Sequence, residues 1–101
     1  MHEMLNREAI LQTLQANRIQ IQQFGVRSIG LFGSFLRGEQ TDQSDIDLLI
    51  DFDPAHENFD NLMGLSDFIE QLFGKRRVEI VTKTGLSRYI GPRILEEVEY
   101  A

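Results

Sequence analysis

Asp45 and Asp47 stand two apart at the head of the run Ile46-Asp47-Leu48-Leu49-Ile50-Asp51-Phe52, an apolar segment of the kind that is buried as a strand. Side chains alternate along a strand, so residues i and i+2 share a face at roughly 6.6 Å, and both carboxylates can converge on shared divalent cations. An acid among Ile and Leu carries a desolvation cost unless a cation or a donor compensates it. The same pair also reads as surface acids at a strand start. Hard oxygen ligands with no Cys or His beside them favour Mg²⁺ or Mn²⁺ over zinc. Just upstream, Gly33-Ser34 closes one apolar segment and opens a short helix, leaving free backbone N–H groups of the kind that bind phosphate oxygens. Gly33 allows close approach of the backbone, and the Ser34 hydroxyl adds a donor. Alone, Gly-Ser before a helix is more often a turn and cap, and the Gly-Lys-[Ser/Thr] ending of a Walker A loop is missing. Together the two features point to metal-dependent phosphoryl or nucleotidyl transfer.

A third acid, Glu79, lies in Val78-Glu79-Ile80-Val81, a strand candidate that could pair beside the one bearing Asp45 and Asp47. Its plainer reading is the outward polar position of an alternating strand. If it pairs there, three carboxylates could hold two metals roughly 3.5–4 Å apart for an in-line displacement at a phosphate. Arg37 is one turn into the short helix, placed to contact phosphate or to pair with an acid such as Asp45. Ser44 reads as a brace for the strand entry. Lys75-Arg76-Arg77 reads as a solvated corner, and His2 and His56 as solvated surface residues.

These residues need a scaffold, and the apolar periodicity supplies one. A helix is expected over about 6–23, with Asn6 as N-cap, Gly25 as the stop and Ile10, Leu11, Leu14 and Ile21 on its inner face. A strand over Val26–Phe32, a short helix over Gly33–Arg37 and a polar loop over Gly38–Gln43 lead into the strand Ile46–Phe52, whose near-continuous apolar run predicts burial on both faces. After a loop over 53–58, a second amphipathic helix runs from about Phe59 to Phe73, followed by a strand over Val78–Thr82. A last helix ends near Glu99, with Pro92 in its first turn. The order α-β-α-β-α-β-α is that of an α+β protein with a small mixed sheet flanked by helices.

At 101 residues the chain is expected to be a single domain, 1–101, with little left over for a second substrate-binding lobe. It holds no cysteine, hence no disulfide framework and no thiolate metal site. No apolar stretch approaches a membrane span and no secretory signal is visible, so a cytoplasmic location is expected. A formal net charge of -6 argues against holding nucleic acid through its backbone. A nucleotide can still bind where metal ions offset the carboxylate charge.

The run Gly33-Ser34, Arg37-Gly38, Ser44-Asp45-Ile46-Asp47-Leu48 resembles the signature of the polymerase-beta-like nucleotidyltransferases, and the small size resembles their minimal, MNT-type branch. The likeness extends to a closing helix with Ile94-Leu95-Glu96-Glu97. The resemblance implies a nucleotidyltransferase fold with Asp45, Asp47 and Glu79 as catalytic metal ligands for two Mg²⁺ ions. It implies Gly33 and Ser34 as triphosphate contacts, with Arg37 and Ser44 assisting. Members usually carry Asp at the third acidic position, where Glu79 is one methylene longer. Members of the minimal branch commonly act as antitoxins beside a HEPN-type ribonuclease toxin, some by transferring AMP from ATP to a tyrosine of that toxin. The expected partners are therefore ATP and a HEPN-type toxin, and a homo-oligomer is compatible with this. The alternatives are a non-catalytic antitoxin that neutralises by binding, and the catalytic subunit of a small-molecule (antibiotic-type) nucleotidyltransferase.

Overall fold

The computed structural model describes residues 5–101; His2 lies outside them. The elements run α1 (Arg7–Ala16), α2 (Arg18–Gln22), β1 (Val26–Phe32), α3 (Gly33–Arg37), β2 (Ile46–Phe52), α4 (Phe59–Leu72), β3 (Val78–Thr82), α5 (Gly91–Glu97) and β4 (Glu99–Tyr100), with single 3-10 turns after β2 and β3. They build a four-stranded sheet of order β3-β2-β1-β4. β1 is antiparallel to both β2 and β4, and β2 is parallel to β3. The mixed sheet with flanking helices is the expected architecture, with two corrections to the element order.

The first concerns the opening helix, which is two helices. Asn17 turns its side-chain amide back onto the Thr13 carbonyl at 2.8 Å and leaves helical geometry at φ -111°, ψ 21°. Asparagine competes in this way with the backbone ladder, and the axis breaks where it does. Asn6 caps α1 as expected, accepting from the Ala9 N–H at 2.8 Å. The second concerns the closing helix, which stops at Glu97 rather than near Glu99. Val98 turns extended at ψ 136°, and Glu99 and Tyr100 pair with Leu31 and Gly30 on the free edge of β1. Gly30 makes room for this: a Cβ there would stand 2.5 Å from the Val98 side chain.

β2 is the central rail. Ile46, Leu48, Ile50 and Phe52 are buried on one face and Leu49 on the other. Ile10, Leu14, Ile21, Leu31, Phe35, Leu65 and Ile69 close the core around it. Truncating one such side chain to Ala costs about 2–5 kcal/mol. Asp47 and Asp51 are the half-buried interruptions of this strand. Among the described residues no helix is long and apolar enough to cross a membrane.

Candidate active site

The parallel register sets Asp47 directly against Glu79, and the antiparallel register sets it against Phe32, the last residue of β1. The chain therefore turns into α3 beside the Asp47 carboxylate. Gly33 makes that turn at φ +77°, and a Cβ built on it would lie 2.1 Å from Asp47 Oδ2. Only glycine suits both the backbone angle and the contact. Phe35 and Leu36 bury α3 from beneath, which fixes the turn against the sheet. The helix ends at Gly38, left-handed at φ +72°, and the Glu39 N–H returns to the Ser34 carbonyl at 2.9 Å.

Asp47 titrates abnormally. Burial first, then the neighbouring Glu79 carboxyl and the charge of Asp45, push its carboxyl up to about 6, against a smaller opposing pull from Arg37. An acid crowded by acids favours its protonated form, and a bound cation is what would reverse that. Asp45 sits one residue ahead of β2, half-buried, with Oδ2 3.9 Å from Arg77 Nε. Arg77 is 84% exposed, so this is a weak pair that leaves Asp45 free to turn. Glu79 is exposed on β3. Among the described residues no three acids or histidines are already gathered in the arrangement of a metal cluster. The donor types would nonetheless suit a hard divalent cation: Asp47 and Glu79 are paired in register, and Asp45 stands two residues ahead of Asp47.

The remaining residues singled out in the sequence take other partners. Arg37 does not pair with Asp45; its Nε meets Glu39 at 2.6 Å and its Nη1 meets both oxygens of Glu97 at 3.2 Å. Ser44 braces the approach to β2, its Oγ accepting from the Thr41 N–H at 2.8 Å. The basic run is only in part a solvated corner. Arg76 lies 5.5 Å over the Phe35 ring and donates to the Ser44 carbonyl at 3.2 Å, tying the β3 approach to the loop before β2. His56 is exposed and near Asp53, as a surface histidine would be.

One contact at this site has no signal in the sequence. Glu97, at the end of α5, accepts the Gly33 N–H at 3.0 Å. No local pattern could have announced a contact spanning 64 positions. An open cavity of about 620 Å³ adjoins it, lined by Phe32, Gly33, Arg37, Ile90, Arg93 and Glu97. A second, of about 520 Å³, lies on the side of Ser44, Asp45, Arg76 and Arg77. Of the three acids only Asp45 lines either cavity, and the Gly33 turn lines the larger.

Comparison with known proteins places this geometry in context. Residues 15–101 match the nucleotidyltransferase domain family. Protein adenylyltransferase MntA of Thermococcus cleftensis is 40% identical over 100 residues, 96% of this chain and 97% of that protein. A candidate protein adenylyltransferase of Methanocaldococcus jannaschii is 37% identical over 79 residues, 76% of this chain and 78% of that one. A solved candidate minimal nucleotidyltransferase superposes with a TM-score of 0.75 at 29% identity, covering 97% of this chain and 98% of the other. A toxin–antitoxin complex with AMP-PNP shares the fold at a TM-score of 0.61 and 18% identity, covering 85% of this chain and 70% of that one.

Proposed function

The chain belongs to the nucleotidyltransferase domain family, and from that premise we propose that it transfers AMP from ATP to a hydroxyl of a partner protein. The observation that supports the reading is the close approach of Gly33 to Asp47, which sets the turn read as a phosphate contact beside one of the acids. Asp45, Asp47 and Glu79 would hold Mg²⁺, which supplies charge neutralisation at the phosphates and a polarised attacking oxygen. The Gly33 N–H and the Ser34 hydroxyl receive triphosphate oxygens, and Arg37 adds positive charge at the rim. The acceptor oxygen forms a bond to the α-phosphorus while the bond to the bridging oxygen breaks, and pyrophosphate leaves. Glu79, exposed and opposite Asp47, takes the proton of the acceptor hydroxyl.

A protein acceptor is favoured on two grounds. The curated relatives are named as protein adenylyltransferases. The described elements are also all spent on the sheet and its cover, so an acceptor pocket is most simply brought by the acceptor itself. We take that acceptor to be a tyrosine of a HEPN-type ribonuclease toxin, which makes this chain the antitoxin. Incubation with ATP labelled at the α-phosphate, Mg²⁺ and a HEPN-type protein encoded beside this chain should label the partner. The combined change Asp45→Asn and Asp47→Asn should abolish labelling; transfer that survives it would overturn the assigned site. Neutralisation by binding alone is the second reading, favoured by the longer Glu79 at the third acidic position; it requires the double variant to neutralise the partner as well as the parent.

A further inference from the structure

The donors assigned to the triphosphate already hold an anion, and it belongs to the protein. Glu97 Oε1 accepts the Gly33 N–H at 3.0 Å, while both carboxylate oxygens accept from Arg37 Nη1 at 3.2 Å. These are the backbone donor and the guanidinium that the proposed function gives to phosphate, and a carboxylate offers them the same geometry as two phosphate oxygens. The Glu97 side chain is 25% exposed, so the contact is neither sealed in the core nor fully solvated. We propose that Glu97 is a built-in competitor for the phosphate subsite, which nucleotide must displace in order to bind. The inference rests on the reading of Gly33 and Arg37 as nucleotide contacts.

The surroundings of Glu97 suit a residue that yields. It ends a seven-residue helix whose only fully buried residue is Gly91, with Ile94 and Val98 packed partly against the core. The element behind it is tied down. Glu99 and Tyr100 pair with β1, and Glu99 is held by Arg7 through two contacts of 2.9 Å. Glu97 is therefore a loosely backed side chain tethered within reach of the turn. Free of nucleotide, it keeps the Gly33 N–H satisfied and Arg37 folded over the turn. With nucleotide bound, Arg37 passes from one anion to another. A competing state of this kind lowers apparent affinity by the fraction of molecules in which the subsite is open.

The test compares three probes in the presence of Mg²⁺: AMP-PNP, inorganic tripolyphosphate and adenosine. Glu97→Gln keeps size and shape but removes the charge, so it should bind AMP-PNP and tripolyphosphate tighter, by about three- to tenfold for a subsite open in roughly a third to a tenth of parent molecules. Adenosine, which lacks phosphates, should gain nothing. In the parent protein, the Glu97 carboxyl ¹³C resonance should move when AMP-PNP is added, a reading that needs no variant to fold. Equal or weaker AMP-PNP binding by Glu97→Gln, an equal gain for adenosine, or an unmoved carboxyl resonance while the parent binds AMP-PNP would each overturn the inference and leave the nucleotide site standing. If neither parent nor variant binds AMP-PNP or tripolyphosphate, the nucleotide reading of Gly33 and Arg37 fails, and the competitor falls with it.

Discussion

Asp47 and Asp51 project from the same face of β2, near its two ends, into opposite surroundings. Asp51 pairs across the sheet with Ser28 and meets the Arg27 guanidinium at 3.2 Å. Asp47 meets a glycine on one side and an acid on the other, and its carboxyl rises to about 6. A strand accepts an acid readily where a cation crosses it. At Asp47 the neighbours withhold that cation, and the backbone at Gly33 is bent to make room for the carboxylate. The two ends of one strand thus meet the same problem differently, and a raised carboxyl beside other acids makes the Asp47 end the candidate for a site.

The widest separation between the two aspartates should be in activity. Asp45→Asn with Asp47→Asn is expected to lower adenylyl transfer by at least about 10³-fold, the scale of removing preorganised charge stabilisation. Asp51→Asn should leave it within about twofold. Measured with the same acceptor and α-labelled ATP, comparable losses from both would erase the distinction. Next in size is the glycine that makes room for Asp47. Gly33→Ala should cost about 1–3 kcal/mol of stability by denaturant unfolding, from the left-handed backbone together with the blocked contact. Gly38→Ala shares the positive φ, at +72°, but a Cβ there meets nothing within 4 Å, so it should cost less. If the contact with Asp47 matters, Gly33→Ala combined with Asp47→Ala should be less damaging than the two changes summed.

The approach of Gly33 to Asp47 was readable because the two are local, whereas Glu79 reaches Asp47 only through the pairing of β2 with β3. Gly33, Asp45 and Asp47 lie within fifteen residues, and the strands β1, β2 and β3 occur where apolar runs predict them. What was not readable depends on contacts that no periodicity encodes. β4 is two residues long, too short for a pattern, and exists because β1 offers a free edge at Gly30 and Leu31. The break at Asn17 comes from one side-chain hydrogen bond inside an otherwise helical run. Arg37 stands in sequence near Asp45, yet the fold brings Glu97 to it from the far end of the chain. Arg76 looked like one of three interchangeable charges until Phe35 came beneath it.

The raised carboxyl gives a third expectation, smaller and dependent on pH. The folded state holds the Asp47 proton up to about pH 6, whereas the unfolded chain releases it near 3.8. The folded state therefore binds more protons between those values, and this group's contribution to stability falls as pH rises through that window. Below it the penalty is absent; above it the penalty is complete. Asp47→Asn should raise the melting temperature of the metal-free protein at pH 7, and the gain should shrink toward zero by pH 4. Adding Mg²⁺ should narrow the difference at pH 7 by stabilising the parent alone. A gain that is constant across pH would place the strain of this end in packing rather than in charge.

The smallest effect belongs to the quiet end. The Arg27 side chain is 58% exposed and that of Asp51 20% exposed, and their contacts of 3.2 and 3.3 Å are those of a partly solvated pair. Such pairs contribute about 0.2–1 kcal/mol, because side-chain ordering and water offset most of the attraction. A double-mutant cycle of Arg27→Ala and Asp51→Ala should return a coupling within that range, reduced further at high salt. A coupling well above it would mean that Asp51, too, is strained until its arginine arrives. The contrast with Asp47 would then be one of partner rather than of place. A small coupling would mean that β2 carries Asp51 at little cost with or without Arg27, and that the contrast with Asp47 is one of place.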